Sequence, residues 1–306
     1  MVNSVAQNVR QQMLATIDRT TWLEEPLRKK LLEKAQDIDF FCGYSDWIID
    51  AKSLDDYYAN FEVVDDELLN ATTAAMREVV KKLYKGLTET RQLTTAVDLG
   101  FFAYDPFNNT VFFTIDQFQQ PLFEPSFSKK FLYGGLGYVF GHEVTHAFDV
   151  LVRKWDKNGL PVIDWPPHSD EEYLKRVKCL TDQYSSKTLY GIHLSGNYTV
   201  QEDICDNNAV RLAYKAFKAL ELSSDPIFPG LNLTDDQTFF LSYSQKYCRK
   251  ASEEFDTVTL KYYGDTHSPS PYRVNMTLSN YPAFAKAFNC PLGSPMNPVK
   301  KCAVWE

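Results

Sequence analysis

The spacing of apolar residues is helical over most of this chain and strand-like in one stretch. From Val5 to Asp37 the pattern is helical, with Pro26 suited to the first turn of a helix that continues through Leu27, Leu31, Leu32 and Ala35. A loop is expected from Gly43 to Leu54, and a further helical run from Asp65 to Lys85. Residues 1–93 therefore read as an α-helical scaffold whose side chains serve packing. The character changes at Thr94, where TTAVDLGFFAYD and TVFFTIDQF, two runs of β-branched and aromatic residues, flank the turn-forming PFNN and predict a β-hairpin. The apolar run from Phe131 to Val150 reads as one buried helix. A polar helical stretch is expected from Asp170 through Ser185, followed by a loop over GIHLSGNYT. Ile204, Val210, Ala213, Phe217 and Leu220 give Val200–Leu220 the spacing of another packed helix. After a loop over PIFPGLNLTDDQTFF, the stretch LSYSQKYCRKASEEF predicts one more. With no internal repeat or low-complexity segment, the expected fold is mainly α with a small β-sheet, and residues 94–306 carry the chemistry.

That chemistry is set into the Phe131–Val150 helix. His142 and His146 are four apart, so at about 3.6 residues per turn their imidazoles lie on one face and can meet one metal ion, with Glu143 one step round. The five residues HEVTH are an HExxH zinc-hydrolase signature, in which the glutamate acts on a water rather than on the metal. Two histidines and a glutamate on a helix are more often surface residues. Here their neighbours are Val139, Phe140, Val144, Ala147 and Phe148, and buried polar groups need partners, which a metal would supply. A catalytic zinc takes three protein ligands, so the third must come from elsewhere, and Glu202 is the candidate. Asp206 shares its helical face and can accept the free N–H of a ligand histidine. An acid pair at this spacing is by itself usually a solvated helix face. His168 and His193 have no partner at ligand spacing.

Composition narrows the setting. A chain of 306 residues, 44% hydrophobic, can bury one large core or two modest ones. A formal net charge of −8 excludes a polyanion partner, so nucleic acid is set aside. The opening residues MVNSVAQNVRQQML predict neither a signal peptide nor a membrane anchor, and His142, Glu143 and His146 interrupt the run around Phe131 before it could span a bilayer. Glycosylation sequons at Asn70, Asn108, Asn197, Asn232 and Asn275, together with six cysteines, favour an oxidising, extracellular setting.

The segments HEVTHAFD, VQEDICDNNA and DTHSPSPYRV, in that order and spacing, resemble the neprilysin and endothelin-converting-enzyme family of zinc endopeptidases. The likeness extends through GYSDWI (Gly43 to Ile48), WDKNGLPVIDW (Trp155 to Trp165) and MNPVKKCAVW (Met296 to Trp305), nearly the whole chain. It implies a thermolysin-like zinc peptidase catalytic domain with one Zn²⁺ per chain. By the same resemblance His142, His146 and Glu202 are the zinc ligands, Glu143 is the general base and Asp206 is the carboxylate behind the ligands, with Asp149 in a similar orienting part. His267 stabilises the transition state beside Asp265, and Arg273 grips substrate backbone, although an ordinary structural arginine bonded to acids such as Asp265 is the alternative. Tyr138, Val139 and Tyr247 match positions lining the pocket for the residue after the scissile bond, with core packing as the alternative. An edge strand of the expected hairpin can align a peptide by main-chain pairing. The segment departs from the family there, because the Asn-Ala pair that holds substrate backbone is replaced around Phe101 to Tyr104.

The resemblance further implies peptide substrates cut on the amino side of hydrophobic residues, and an extracellular or plasma-membrane ectodomain. It also implies an N-terminal lid portion and a membrane anchor, neither of which is in this sequence. Cys179 and Cys302 are expected to form a bridge. The counterparts of Cys248 and Cys290 pair with the lid portion, that of Cys42 looks outward to it, and Cys205 is a small buried residue. In the reaction so implied, Glu143 takes a proton from the attacking water and passes it to the leaving amine, while His267 donates to the oxyanion and Arg273 orients the substrate. The alternative is a non-catalytic binding or decoy protein that keeps the fold. Loss of Glu143 or of a ligand would mark it, and none is lost.

Overall fold

The computed structural model of the protein describes residues 1–61, 67–85, 102–220, 232–262 and 265–306. The helical run expected from Val5 is two helices, α1 (Val2–Arg19) and α2 (Glu25–Gln36), with Pro26 in the first turn of α2, where no N–H is required. Strand β1 (Asp39–Gly43) follows, then a short 3₁₀ turn and α3 (Ala51–Tyr58), so the expected loop is partly helical. Asp50 caps α3 by accepting from the Ser53 N–H. Helix α4 (Leu68–Lys85) occupies the run expected from Asp65, which itself lies outside the described residues.

The expected hairpin is present as β2 (Phe102–Asp105) and β3 (Thr110–Thr114), paired antiparallel, with residues 94–101 outside those described. Strand β3 also pairs in parallel with β1, which gives the order β1-β3-β2 and, among the described residues, leaves β2 at an edge. The sequence pattern does not anticipate β1, because the short run DFFCG offers too few positions for an alternating pattern to register.

The apolar run around Phe131 is helical in three parts: α5 (Lys129–Leu132), a π turn (Tyr133–Gly137) and α6 (Tyr138–His146). The π turn coincides with the glycines, where the backbone meets Phe239 so closely that a Cβ on Gly134 would lie 2.3 Å from its carbonyl oxygen. The helix stops at His146, so Asp149 lies in the turn beyond it rather than on the helix. Next come α7 (Pro167–Ser185), a small hairpin of β4 (Thr188–Leu189) and β5 (Ile192–His193) where a loop was expected, and α8 (Gly196–Lys218). Helix α9 (Asp235–Gln245) begins earlier than the sequence pattern indicates and ends well before Phe255. Its start is fixed by a capping box, in which the Thr234 side chain accepts from the Gln237 N–H and Gln237 accepts from the Thr234 N–H. The described chain closes with α10 (Glu253–Tyr262), α11 (Ser270–Ser279) and α12 (Pro282–Ala287).

At the centre α6 crosses α8, with α1 packed on both and α7 against α8. Val5, Val9, Met13 and Ile17 of α1 and Leu27 and Leu31 of α2 join the same buried core as Phe140, Val144 and Val210. The tail is drawn under the end of α6. The Cys179–Cys302 disulfide, implied by the resemblance, is present with Cα atoms 5.6 Å apart. Near it Trp305 is buried against the rings of Trp22, Phe148 and Tyr173. Cys42, Cys205, Cys248 and Cys290 are unpaired.

The α6–α8 crossing depends on Gly141, where a Cβ would lie 2.9 Å from the Ala209 carbonyl oxygen and 3.2 Å from its Cβ. Gly141→Ala is expected to push the helices apart and destabilise the fold by about 1–3 kcal/mol, seen as a lower urea midpoint. An unchanged midpoint would mean that the crossing has slack.

Candidate metal and catalytic site

The crossing brings together side chains far apart in sequence. His142 Nε2 lies 3.2 Å from His146 Nε2 and 3.1 Å from Glu202 Oε2, and His146 Nε2 is 3.5 Å from the same oxygen. A tetrahedral zinc with bonds of about 2.0–2.1 Å has ligand atoms about 3.3–3.4 Å apart, so this triangle fits the ion. Two imidazole nitrogens and a carboxylate oxygen converging on one point are also the donor set that a catalytic zinc takes.

The other nitrogen of each histidine faces an acid. His142 Nδ1 lies 2.8 Å from Asp206 Oδ1, and His146 Nδ1 lies 2.9 Å from Asp149 Oδ2. These contacts set both Nε2 atoms inward. Asp149 does this from beyond the helix, because its other oxygen accepts from the Leu151 and Val152 N–H groups and fixes the turn. Glu143 borders the groove, and its carboxylate makes no hydrogen bond to a described residue.

Asp206 is the anchor of a second set. Its two oxygens accept from Nε and Nη2 of Arg273, each at 2.6 Å, and Oδ1 also accepts from the Tyr138 hydroxyl at 2.5 Å. Burial would push this carboxyl up, but the guanidinium and His142 overcome that and hold it well below the usual carboxylate range. Arg273 thus pairs with Asp206, not with Asp265. Its Nη1 makes no hydrogen bond to a described residue, and its side chain also lines the groove.

His267 stands on the far side. Asp265 Oδ1 lies 2.8 Å from its Nδ1 and accepts from its backbone N–H, while Nε2 is 3.1 Å from Glu202 Oε2. The loop carrying His267 is tied to α8 by Asp203, a residue that sequence reasoning missed although it follows Glu202 directly. Asp203 accepts from the hydroxyls of Ser268 and Thr199, both at 2.7 Å.

A groove of about 480 Å³ runs past Glu143, Glu202 and His267, with Phe102, Ala103 and Tyr104 of edge strand β2 along one side. Phe101 lies outside the described residues. A second cavity of about 280 Å³ opens beyond His267 and Arg273, which border both, and Tyr247 lines it. Tyr138 and Val139 present no surface to either, since both are fully buried. The Tyr138 hydroxyl is spent on Asp206 and Tyr247, and Val139 packs in the core. His168 and His193 are exposed and apart from the ligand group.

The sequence profile of peptidase family M13 matches residues 102–304. The chain belongs to that family. An endothelin-converting enzyme homolog of Locusta migratoria is 33% identical over 308 residues, covering 99% of the M13 chain and 42% of the relative. Membrane metallo-endopeptidase-like 1 of Mus musculus is 34% identical over 316 residues, covering 99% and 41%. The M13 chain thus spans about two fifths of the length of these relatives. Its fold matches that of Mycobacterium tuberculosis zinc metalloprotease Zmp1, solved with an inhibitor, at a TM-score of 0.82 and 23% identity, over 100% of this chain and 47% of that one. PepO from Lactobacillus rhamnosis matches with a TM-score of 0.82 and 25% identity, over 99% and 46%.

Because Arg273 neutralises a fully buried carboxylate, its removal leaves Asp206 with the Tyr138 hydroxyl and His142 but without its guanidinium counter-charge. Arg273→Met is expected to destabilise the M13 chain by about 3–5 kcal/mol, and Arg273→Lys, which keeps the charge but loses the fork, by less. Urea denaturation checks this, and an unchanged midpoint in both variants would make Arg273 a substrate clamp with no structural share.

Proposed function

We propose that this chain is the catalytic portion of a zinc metalloendopeptidase that hydrolyses peptide bonds in oligopeptides. The observation that carries the reading is the convergence of His142 Nε2, His146 Nε2 and Glu202 Oε2 on one point, with the unengaged Glu143 carboxylate beside it. His142, His146 and Glu202 would hold the zinc, which when bound polarises a carbonyl and makes a water acidic enough to ionise near neutral pH. Glu143 takes the proton of the attacking water and delivers it to the leaving amine. His267, held by Asp265, donates from Nε2 to the oxyanion, a contact worth on the order of 10²–10³ in rate. Arg273, oriented by Asp206, offers Nη1 to the substrate backbone. Strand β2 supplies an open edge for main-chain pairing, the role left vacant by the replaced Asn-Ala pair.

Cleavage on the amino side of hydrophobic residues follows from family likeness, and the rings of Phe102, Tyr104 and Tyr247 near the site support an apolar contribution to binding. Residues 94–306 would carry this chemistry and residues 1–93 the scaffold beneath it. The disulfide and the exposed sequon residues Asn70, Asn197, Asn232 and Asn275 support an extracellular or ectodomain setting. A non-catalytic binding protein is disfavoured, since every ligand and the base remain.

Glu143→Gln separates ligation from proton transfer. The variant is expected to keep its zinc while peptide cleavage falls by about 10²–10⁴. Cleavage at the original rate would show that another group is the base.

A further inference from the structure

One basic side chain on the groove wall has no part in the mechanism above. Lys246 follows the last turn of α9, and its ammonium lies over the rings of Phe102, Tyr138 and Tyr247, at 4.8, 5.2 and 5.4 Å from their centroids. Rings stabilise a cation through their electron-rich faces and leave its N–H donors unused. Among the described residues no carboxylate lies within ion-pair distance of Nζ, and no hydrogen bond engages it. The other basic residue on this groove, Arg273, is neutralised by Asp206. Lys246 lines the same groove as His142, Glu143, His146 and Glu202, and the charges of Asp206, Glu143 and Glu202 favour its charged form. Burial, and after it the charge of Arg273, work the other way and lower its pKa to about 8.

An unpaired ammonium in a ring-lined wall is not matched by a purely apolar side chain. We infer that Lys246 is a specificity-determining residue, and that the groove selects peptides presenting a carboxylate near the scissile bond, from an acidic side chain or from the peptide's own C-terminus. The rings hold the apolar stem of such a group and the ammonium holds its charge. The inference rests on the peptidase reading and adds a charged component to the apolar preference that family likeness implies.

The test uses short peptides that differ at one position flanking the cleaved bond, Glu, Gln or Leu, each with a free or an amidated C-terminus. Binding is measured to the zinc-loaded Glu143→Gln chain, and kcat/KM to the unaltered one. A carboxylate, in whichever of the two places Lys246 reads, is expected to bind about tenfold tighter than its neutral counterpart. Lys246→Met should erase that preference and favour Leu, while Lys246→Arg should retain it. The Glu–Gln comparison and the acid–amide comparison tell the two sources apart. Equal binding of charged and neutral peptides overturns the inference, as does a preference that survives Lys246→Met. A uniform loss across all peptides also overturns it, since Lys246 would then only balance Glu143. If no peptide binds or is cleaved at all, the peptidase reading fails first and this inference falls with it.

Discussion

His142 Nε2, His146 Nε2 and Glu202 Oε2 converge to within 3.1–3.5 Å where the two helices that carry them approach backbone to backbone. Gly141 and Ala209 make that approach. Because Gly141 has no side chain, α6 settles against the Ala209 carbonyl, next to His142 on one helix and about one turn from Asp206 on the other. Asn208 reinforces the crossing by donating to Thr145 Oγ1 at 3.0 Å, between the same two helices. The π turn before α6 serves a related need, letting the glycine-rich backbone press against Phe239 without losing helical continuity.

The first helices, which carry no chemistry of their own, pack on α6 and α8 and reach the turn behind His146 through Lys34. Lys34 of α2 is fully buried, and its ammonium donates to the carbonyls of Ala147 at 2.6 Å and Val152 at 3.0 Å. Those residues bracket Asp149, so Lys34 closes the turn that orients His146. Burial lowers its pKa to about 7 even though Asp149 and Asp156 act to raise it. The first helices and the candidate metal site are thus one packed unit in which the buried Lys34 amine beneath the turn helps to set His146 above it.

Much of this was legible in the sequence, for identifiable reasons. The HEVTH pair works within one helix, where spacing dictates geometry, and Glu202 and Asp206 follow the same rule on α8. The β2–β3 hairpin is marked by its turn residues and the β-branched content of its strands. What was not legible depends on contacts between distant segments. Strand β1 exists because β3 is there to pair with it in parallel. The Asp206–Arg273 pair lies across 67 positions, and nothing local distinguishes an arginine that grips a substrate from one that neutralises a buried acid. Asp203 and Lys246 look like ordinary helix-surface residues until the loop after α10 and the edge of β2 close over them. The start of α9 is marked locally by the capping box at Thr234 and Gln237, which the apolar spacing alone does not register.

The central claim is that the α6–α8 crossing creates a single zinc site from His142, His146 and Glu202. Zinc stoichiometry and affinity, measured by elemental analysis and competition with a chromophoric chelator, test it most directly on the chain and its Glu202→Gln variant. The account predicts one zinc per chain, and a loss of affinity in the variant greater than the roughly 10–100-fold that outer partners usually carry. Zinc held as tightly by the variant as by the original chain would contradict it, because the third ligand would then lie elsewhere.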